Sequence, residues 1–242
     1  MKRTISIEDA LGKIEKLHSL SERKYKETES KRLLAINELS RKIRASLNAL
    51  LFIPCEKYDV LCAPTNLLYR SMITDLMTLL LISQVNDKQL DEVINLFDID
   101  FARALKNALK ANIEIRKDTY PDDIDAFDEQ AKKYQEKLYD DLQDCLTSAK
   151  GEDWEIKPKT PVIINRLKFN GSFSQIYDIL KSYKEVAGYA YLYQFYRLFS
   201  QSEHFSMKGR IINHKQTFHE EYYNKVRYAI YVGAVFLYNK YN

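Results

Sequence analysis

In the stretch YRLFSQSEHFS, residues 196–206, an arginine, a serine and a histidine fall at 197, 200 and 204. On a helix Arg197 and His204 lie about 20° from eclipsed and about 10 Å apart along the axis. Ser200 sits between them, and Tyr193 extends the same stripe one turn back. The guanidinium fork of arginine holds and neutralises phosphate oxygens. Histidine titrates near neutral pH and can move the proton of a ribose 2′-hydroxyl. The stripe is therefore a candidate for metal-independent cleavage of RNA. Arg197 would bind phosphate, His204 would act as general acid/base, and Ser200 and Tyr193 would orient them. The basic segment KGRIINHK, residues 208–215, follows directly and supplies Lys208, Arg210 and Lys215 as candidate phosphate contacts.

The same residue types admit a second reading. A tyrosine-rich helix packed on other helices recruits Arg, Ser and His to satisfy phenol hydroxyls. The stripe would then be a buried polar network that fixes helix register in a non-enzymatic interaction module. Exposure separates the two, because a site needs Arg197 and His204 at the floor of an open cleft.

Other chemistries find less support. His204, His214 and His219 cluster with Glu220 and Glu221, but His214 and His219 are five apart and point in different directions on one helix. No metal is expected. Gly171, Gly188, Gly209 and Gly233 are isolated, so no phosphate-cradling loop forms and no cofactor is expected. Cys55, Cys62 and Cys145 lack zinc-type spacing and suggest a reduced cytoplasm. The net charge of +3 is too small to argue for nucleic acid by itself. Charges occupy the N-terminal MKRTISIEDALGKIEK where a signal peptide would be apolar. The apolar runs LMTLLLIS and YAIYVGAVFLY are too short to span a bilayer. The expectation is a cytoplasmic protein with no membrane partner.

The elements that must position the stripe read as helices. Six glycines and five prolines in 242 residues leave little punctuation for short strands. The fold class expected is all-α, a single bundle of about eight helices with a long N-terminal helix. Residues 1–50 read as one long helix or a helix pair in line, with the early part a solvated amphipathic helix or, alternatively, an arm that projects from the core or pairs with another chain, and residues 51–242 as the helical core. Within the first segment Leu33, Ile36, Ser40, Ile43, Leu47 and Leu50 follow the 3-4 spacing of a packed seam. Pro54 and Pro64 bracket a break. Thr65 caps a helix over about 65–83 that is apolar almost all round and should be the central buried one. Arg70 and Asp75 inside it need partners, since a buried charge is costly alone. Both are expected to face the interior that the 193–204 stripe faces.

A helix over about 87–116 should break near Asp98, and a charged helix over 122–149 carries Phe127, Tyr134, Leu138 and Leu142 on one face. Residues 150–171, with the sole tryptophan, Trp154, read as irregular. Inside them TPVIINRLK looks like a short helix with Thr160 as cap and Pro161 at its first position. SFSQIYDIL is another short helix, followed by helices over about 181–201 and 212–240. The last, with Tyr222, Val226, Tyr228, Ile230, Phe236 and Leu237, reads as core or dimer interface.

Two resemblances bear on function. The helix LLYRSMITDLMTLLLIS, with Arg70 and Ser71, precedes the Trp-containing loop GEDWEIKPKTPVIINRL and the segment YRLFSQSEH, with Tyr196, Arg197, Ser200 and His204. That order resembles a family of uncharacterised, mostly bacterial helical proteins with an L-x-R-S helix and a late Y-R-x-x-S-x-x-x-H motif, over about residues 30–240. Asp75 stands where that pattern places an acid, one residue along. The resemblance implies a helical fold and no reaction. The spacing from Arg197 to His204 is also similar to the R-x(4–6)-H motif of HEPN domains, with Leu198 where those domains often carry a polar residue. This resemblance implies a homodimeric helical bundle with RNA as partner, either a metal-independent RNase in defence or stress responses or an inactive domain that binds RNA or a nucleotide.

Overall fold

The computed structural model describes residues 4–53, 62–119, 141–150, 153–200 and 219–242. These residues form an all-α protein of seven α-helices with two short β-hairpins. The chain divides into two compact units, Met1–Asp87 with Ser172–Asn242, and Lys88–Gly171.

The first unit begins with α1, Ile7–Thr28, started by a capping box in which the Asp9 amide donates to Ser6 Oγ at 3.0 Å and the Ser6 amide donates to Asp9 Oδ2 at 3.3 Å. Its buried residues Ala10, Ile14, Leu17 and Ser21 recur at helical spacing. Glu29 ends the helix in the left-handed region at φ 51°, with its amide donating to Tyr25 O at 2.7 Å. The reversal sends α2, Lys31–Phe52, back along α1. The expectation of helices in line is corrected here, because a left-handed residue cannot continue a helix. The seam Leu33, Ile36, Ser40, Ile43, Leu47 and Leu50 is buried throughout, as its spacing predicts. Far from projecting, α1 packs along α2 and the C-terminal helix of the same unit.

Helix α3, Cys62–Gln84, is the central one, as expected. It packs on α2 and on three helices from the end of the chain. Tyr69, Met72, Ile73, Leu76, Met77 and Leu79 to Ile82 leave almost no exposed surface. The closing helices of this unit are α5, Phe173–Lys181, α6, Leu192–Ser200, and α7, His219–Tyr241. A turn and a 3-10 segment at Ala187–Tyr191 separate α5 from α6, so the helix expected over 181–201 is shorter at its start. Lys240 Nζ donates to Ser83 O at 2.7 Å and Lys24 Nζ to Asn242 O at 3.0 Å, which ties the C-terminus to α3 and α1.

In the second unit α4, Asp87–Thr119, runs unbroken through Asp98. Val93, Leu96, Ile99 and Ala102 form one buried stripe across the expected break, so side-chain packing carries the helix past the acid. A 3-10 turn at Gln143–Cys145 and strand β1, Leu146–Lys150, replace the end of the helix expected over 122–149. Residues 122–140 of that helix lie outside the described residues. β1 pairs antiparallel with β2, Asp153–Ile156, in a stretch that reads as helix end and loop in the sequence. Burial of Cys145 in a small core with Ile99, Ala102, Leu142 and Leu146 pushes its thiol pKa up, which keeps it unreactive.

TPVIINRLK is a hairpin, not a helix. β3, Val162–Ile164, pairs antiparallel with β4, Leu167–Phe169, with Ile164 opposite Leu167. The two residues between them, Asn165 and Arg166, have φ of 48° and 67°. Two consecutive positive φ values make the turn whose twist matches paired strands. Val162 and Ile164 face inward and Ile163 outward, the alternation of a strand. Gly171, at φ 92°, closes the unit, and a Cβ there would sit 2.8 Å from Asp100 Oδ2. Among the described residues no helix is long and apolar enough to cross a membrane.

Candidate functional site

Helix α6 places the first three residues of the expected stripe on one element. Its opposite face is buried through Leu192, Phe195 and Phe199, as the pattern requires. Phe199 packs at 6.1 Å on Tyr69 of α3 and at 5.7 Å on Tyr223 of α7. That anchorage turns the 193-196-197-200 side away from the core. Arg197 is exposed, and no hydrogen bond or ion pair joins it to another described residue. Ser200 is half-buried and its hydroxyl donates to Tyr196 O of its own helix at 2.7 Å. The hydroxyl is thus spent on the backbone and does not hold Arg197. His204 lies outside the described residues, as do Lys208, Arg210 and Lys215.

Tyr193 and Tyr196 stand in an aromatic cluster between α5 and α6. Their rings stack at 6.0 Å with 13° between planes. Phe173 of α5 approaches Tyr196 at 4.2 Å and Tyr193 at 5.9 Å, and Tyr177 approaches Tyr193 at 5.1 Å. All four rings are half-buried. Arg70 of α3 lies over the Tyr196 ring at 5.0 Å and donates to its hydroxyl at 3.3 Å. The ammonium of Lys181 lies over Tyr177 at 5.0 Å. A cation on an aromatic face contributes about 0.5–2 kcal/mol, depending on how dry it is.

The structure joins Arg70 to the stripe but not Asp75. Five residues apart on a helix, the two point about 140° from each other. Lys42 of α2 and Ser71 on its own helix both favour the charged form of Asp75. Burial raises its carboxyl pKa to about 6, against the smaller lowering effects of Lys42 and Ser71. Its Oδ2 has no hydrogen-bond partner among the described residues.

A buried polar network does exist, at a place the stripe does not include. Arg227 of α7 is 5% exposed. It donates through Nε to Ile5 O at 2.7 Å, through Nη1 to Tyr69 OH at 2.9 Å, and through Nη2 to Glu220. Tyr223 stacks on Tyr69 at 4.4 Å and donates to Asn66 Oδ1 at 2.6 Å. The guanidinium pairs along both edges, so it fastens the chain start, α3 and α7 together. The signal for it is visible in the sequence. Arg227 stands alone in the apolar run VRYAIYVGAVFLY, the same anomaly that marks Arg70.

Among the described residues no group of three or more His, Cys, Asp or Glu is placed to hold a metal ion. The class these features define is an all-α protein with an exposed arginine beside an aromatic cluster that carries cations at its ends. Comparison of the chain with protein-family models, curated proteins and solved structures gives no match.

Proposed function

We propose that this protein binds RNA at the α6 surface and cleaves it without metal, in the manner that its resemblance to HEPN domains implies. Arg197 holds a phosphate and His204 moves the proton of the ribose 2′-hydroxyl that attacks it. In a homodimer two such pairs share one cleft, in bacterial defence or stress responses. The observation that carries the reading is the exposure of Arg197 on a helix whose other face is locked into the core. An arginine needed for internal structure is paired, as Arg227 is. An exposed arginine that pairs with no other described residue, on a helix that carries no acid, can meet phosphate.

The rival reading, a buried Arg–Ser–His network in an interaction module, draws support from Ser200, whose hydroxyl serves its own helix. It draws none from Arg197, which is exposed.

The test is cleavage of total cellular RNA in EDTA by the wild-type chain, Arg197→Ala and His204→Ala, with thermal melting of all three. Loss of cleavage by two orders of magnitude or so in both variants, at unchanged melting temperature, is the expected result for removal of an acid/base or charge-stabilising group. Absence of cleavage by the wild-type chain overturns the enzymatic reading.

A further inference from the structure

Helix α3 is buried on every side but one. Between Tyr69 and Ile82 the residues that keep some exposure are Arg70, Ser71, Thr74, Asp75 and Thr78, and all of them are polar. Their spacing puts them within about 140° of arc, with Arg70 and Asp75 at the two edges and the hydroxyls between. The stripe is open at Leu67, 42% exposed, and closed at Ile82, 3% exposed. Packed α2 flanks it on the side of Asp75, where Lys42 stands, and α6 on the side of Arg70, where Tyr196 stands. We propose that this groove binds a guanine nucleotide, free or as one residue of an RNA strand, with the base against Asp75 and the phosphate toward Arg70 and Lys42. Binding here is separate from the cleavage proposed for Arg197 and does not depend on it.

Three observations favour this occupant. First, Asp75 is not held as a structural charge is held. Arg227, the comparable charge in α7, is paired along both edges of its guanidinium. Asp75 keeps a buried Oδ2 with no hydrogen-bond partner among the described residues. A buried acceptor left in that state is matched by a ligand that brings a donor. Second, the acid lies between two cations, Arg70 and exposed Lys42. A cationic ligand would be repelled by both. A ligand with an anionic group and a neutral donor edge suits all three charges, and a nucleotide has both. Arg70 and Asp75 are about 7.5 Å apart along the axis, a span that a base and its phosphate cover. Third, the acid selects the base. An ionised carboxylate offers two acceptors side by side and no donor. Guanine carries two adjacent donors, N1–H and the N2 amine. Adenine and cytosine set one donor beside an acceptor, and uracil sets one donor between two acceptors, so each would turn a lone pair toward the carboxylate. The Thr74 hydroxyl is spent on Arg70 O at 3.1 Å, but Thr78, deeper in the groove, carries a hydroxyl that can donate to guanine O6.

The experiment is calorimetric titration of the full chain with GMP, IMP and AMP at low salt. GMP is expected to bind at least tenfold more tightly than AMP, with IMP, which lacks the N2 amine, in between. Asp75→Asn replaces one acceptor by a donor and should weaken GMP binding at least tenfold and erase the preference for guanine. Circular dichroism should show that variant folded, since it removes a buried charge. Lys42→Ala should weaken GMP more than guanosine and flatten the salt dependence. A 2′-O-methyl hexamer with a single guanosine, which cannot be cleaved through a 2′-hydroxyl, is titrated beside its adenosine counterpart. Guanine-dependent binding of the hexamer without binding of GMP assigns the groove to RNA, and binding of GMP at least as tight as the hexamer assigns it to the free nucleotide; in both cases Asp75→Asn must abolish the preference. Equal affinity for GMP and AMP overturns the inference. So does a guanine preference that survives Asp75→Asn, or the absence of binding by GMP and by the hexamer at millimolar concentration. Cleavage is read in none of these titrations, so their failure leaves the reading of Arg197 to its own test.

Discussion

Asp75 and Arg227 show how differently two ionisable groups in apolar helices can be handled. The Asp75 carboxyl is raised to about 6 by burial, and Lys42 and Ser71 offset only part of that. Below its ordinary value of 3.8 it is protonated both folded and unfolded, and it contributes nothing to pH dependence. Between 3.8 and about 6 the unfolded chain has released the proton and the folded chain has not, so stability falls as pH rises. Above about 6 the cost is complete, on the order of 3 kcal/mol. Asp75→Asn should therefore leave the urea midpoint nearly unchanged at pH 3.5 and raise it at pH 7.5. A midpoint difference that does not grow with pH would show that Asp75 ionises at its ordinary value. Arg227 is the opposite case, since each edge of its guanidinium is paired. Arg227→Met keeps much of the volume but leaves Ile5 O and Tyr69 OH without donors in a dry site. It should cost about 3 kcal/mol in chemical denaturation. Both residues are legible in the sequence as charges in apolar runs. What the sequence does not carry is the partner, because the Ile5 carbonyl is backbone and lies 222 residues away.

At the scale of elements, legibility follows how many residues share one signal. The α2 seam, from Leu33 to Leu50, repeats over nearly five turns, and its spacing predicts the buried face to the residue. The all-round apolarity of α3 likewise placed it at the centre. The hairpins are decided by very few positions. In TPVIINRLK a proline after a threonine gives a sound helix start, yet Asn165 and Arg166 at positive φ settle the stretch as two strands. Arg166 is an unusual occupant of that turn, and a non-glycine residue in the left-handed region costs about 1–2 kcal/mol. Arg166→Gly should gain about 0.5–1 kcal/mol, because glycine's added freedom in the unfolded chain takes back part of the relief. The same reasoning applies to Glu29, whose φ of 51° reverses the chain between α1 and α2. Its carboxylate also stands at the negative end of the α1 dipole, where an anion is unfavourable. Glu29→Gly should raise the melting temperature by several degrees, whereas an unchanged or lower value would mean that the glutamate side chain itself holds the reversal.

The first unit is built from both ends of the chain, and this decides what the N-terminal helix is for. From sequence, its many charges leave a projecting arm open beside a solvated amphipathic helix of the core. Charge fraction alone misleads here, because a helix needs only a narrow stripe to join a core. In α1 that stripe is Ala10, Ile14, Leu17 and Leu20, with Ile5 just before it, and none of these is more than 4% exposed. At about 1.5–3 kcal/mol for each large side chain, their burial is comparable with the 5–15 kcal/mol by which whole domains are stable. The helix also carries the polar ties of the unit: Ile5 accepts from Arg227 and donates to Asn224 at 2.8 Å, and Lys24 holds the C-terminal carbonyls. Removal of residues 1–29 would therefore strip α2 and α7 of their apolar cover and leave the Arg227 guanidinium half-paired in the core. The truncated chain is expected to lose its cooperative melting transition and its near-ultraviolet tyrosine signal, while retaining helical far-ultraviolet circular dichroism. A truncated chain that melts cooperatively within a few degrees of the full one would make α1 an appendage, and the search for its role would move from the core to a partner that covers its apolar stripe.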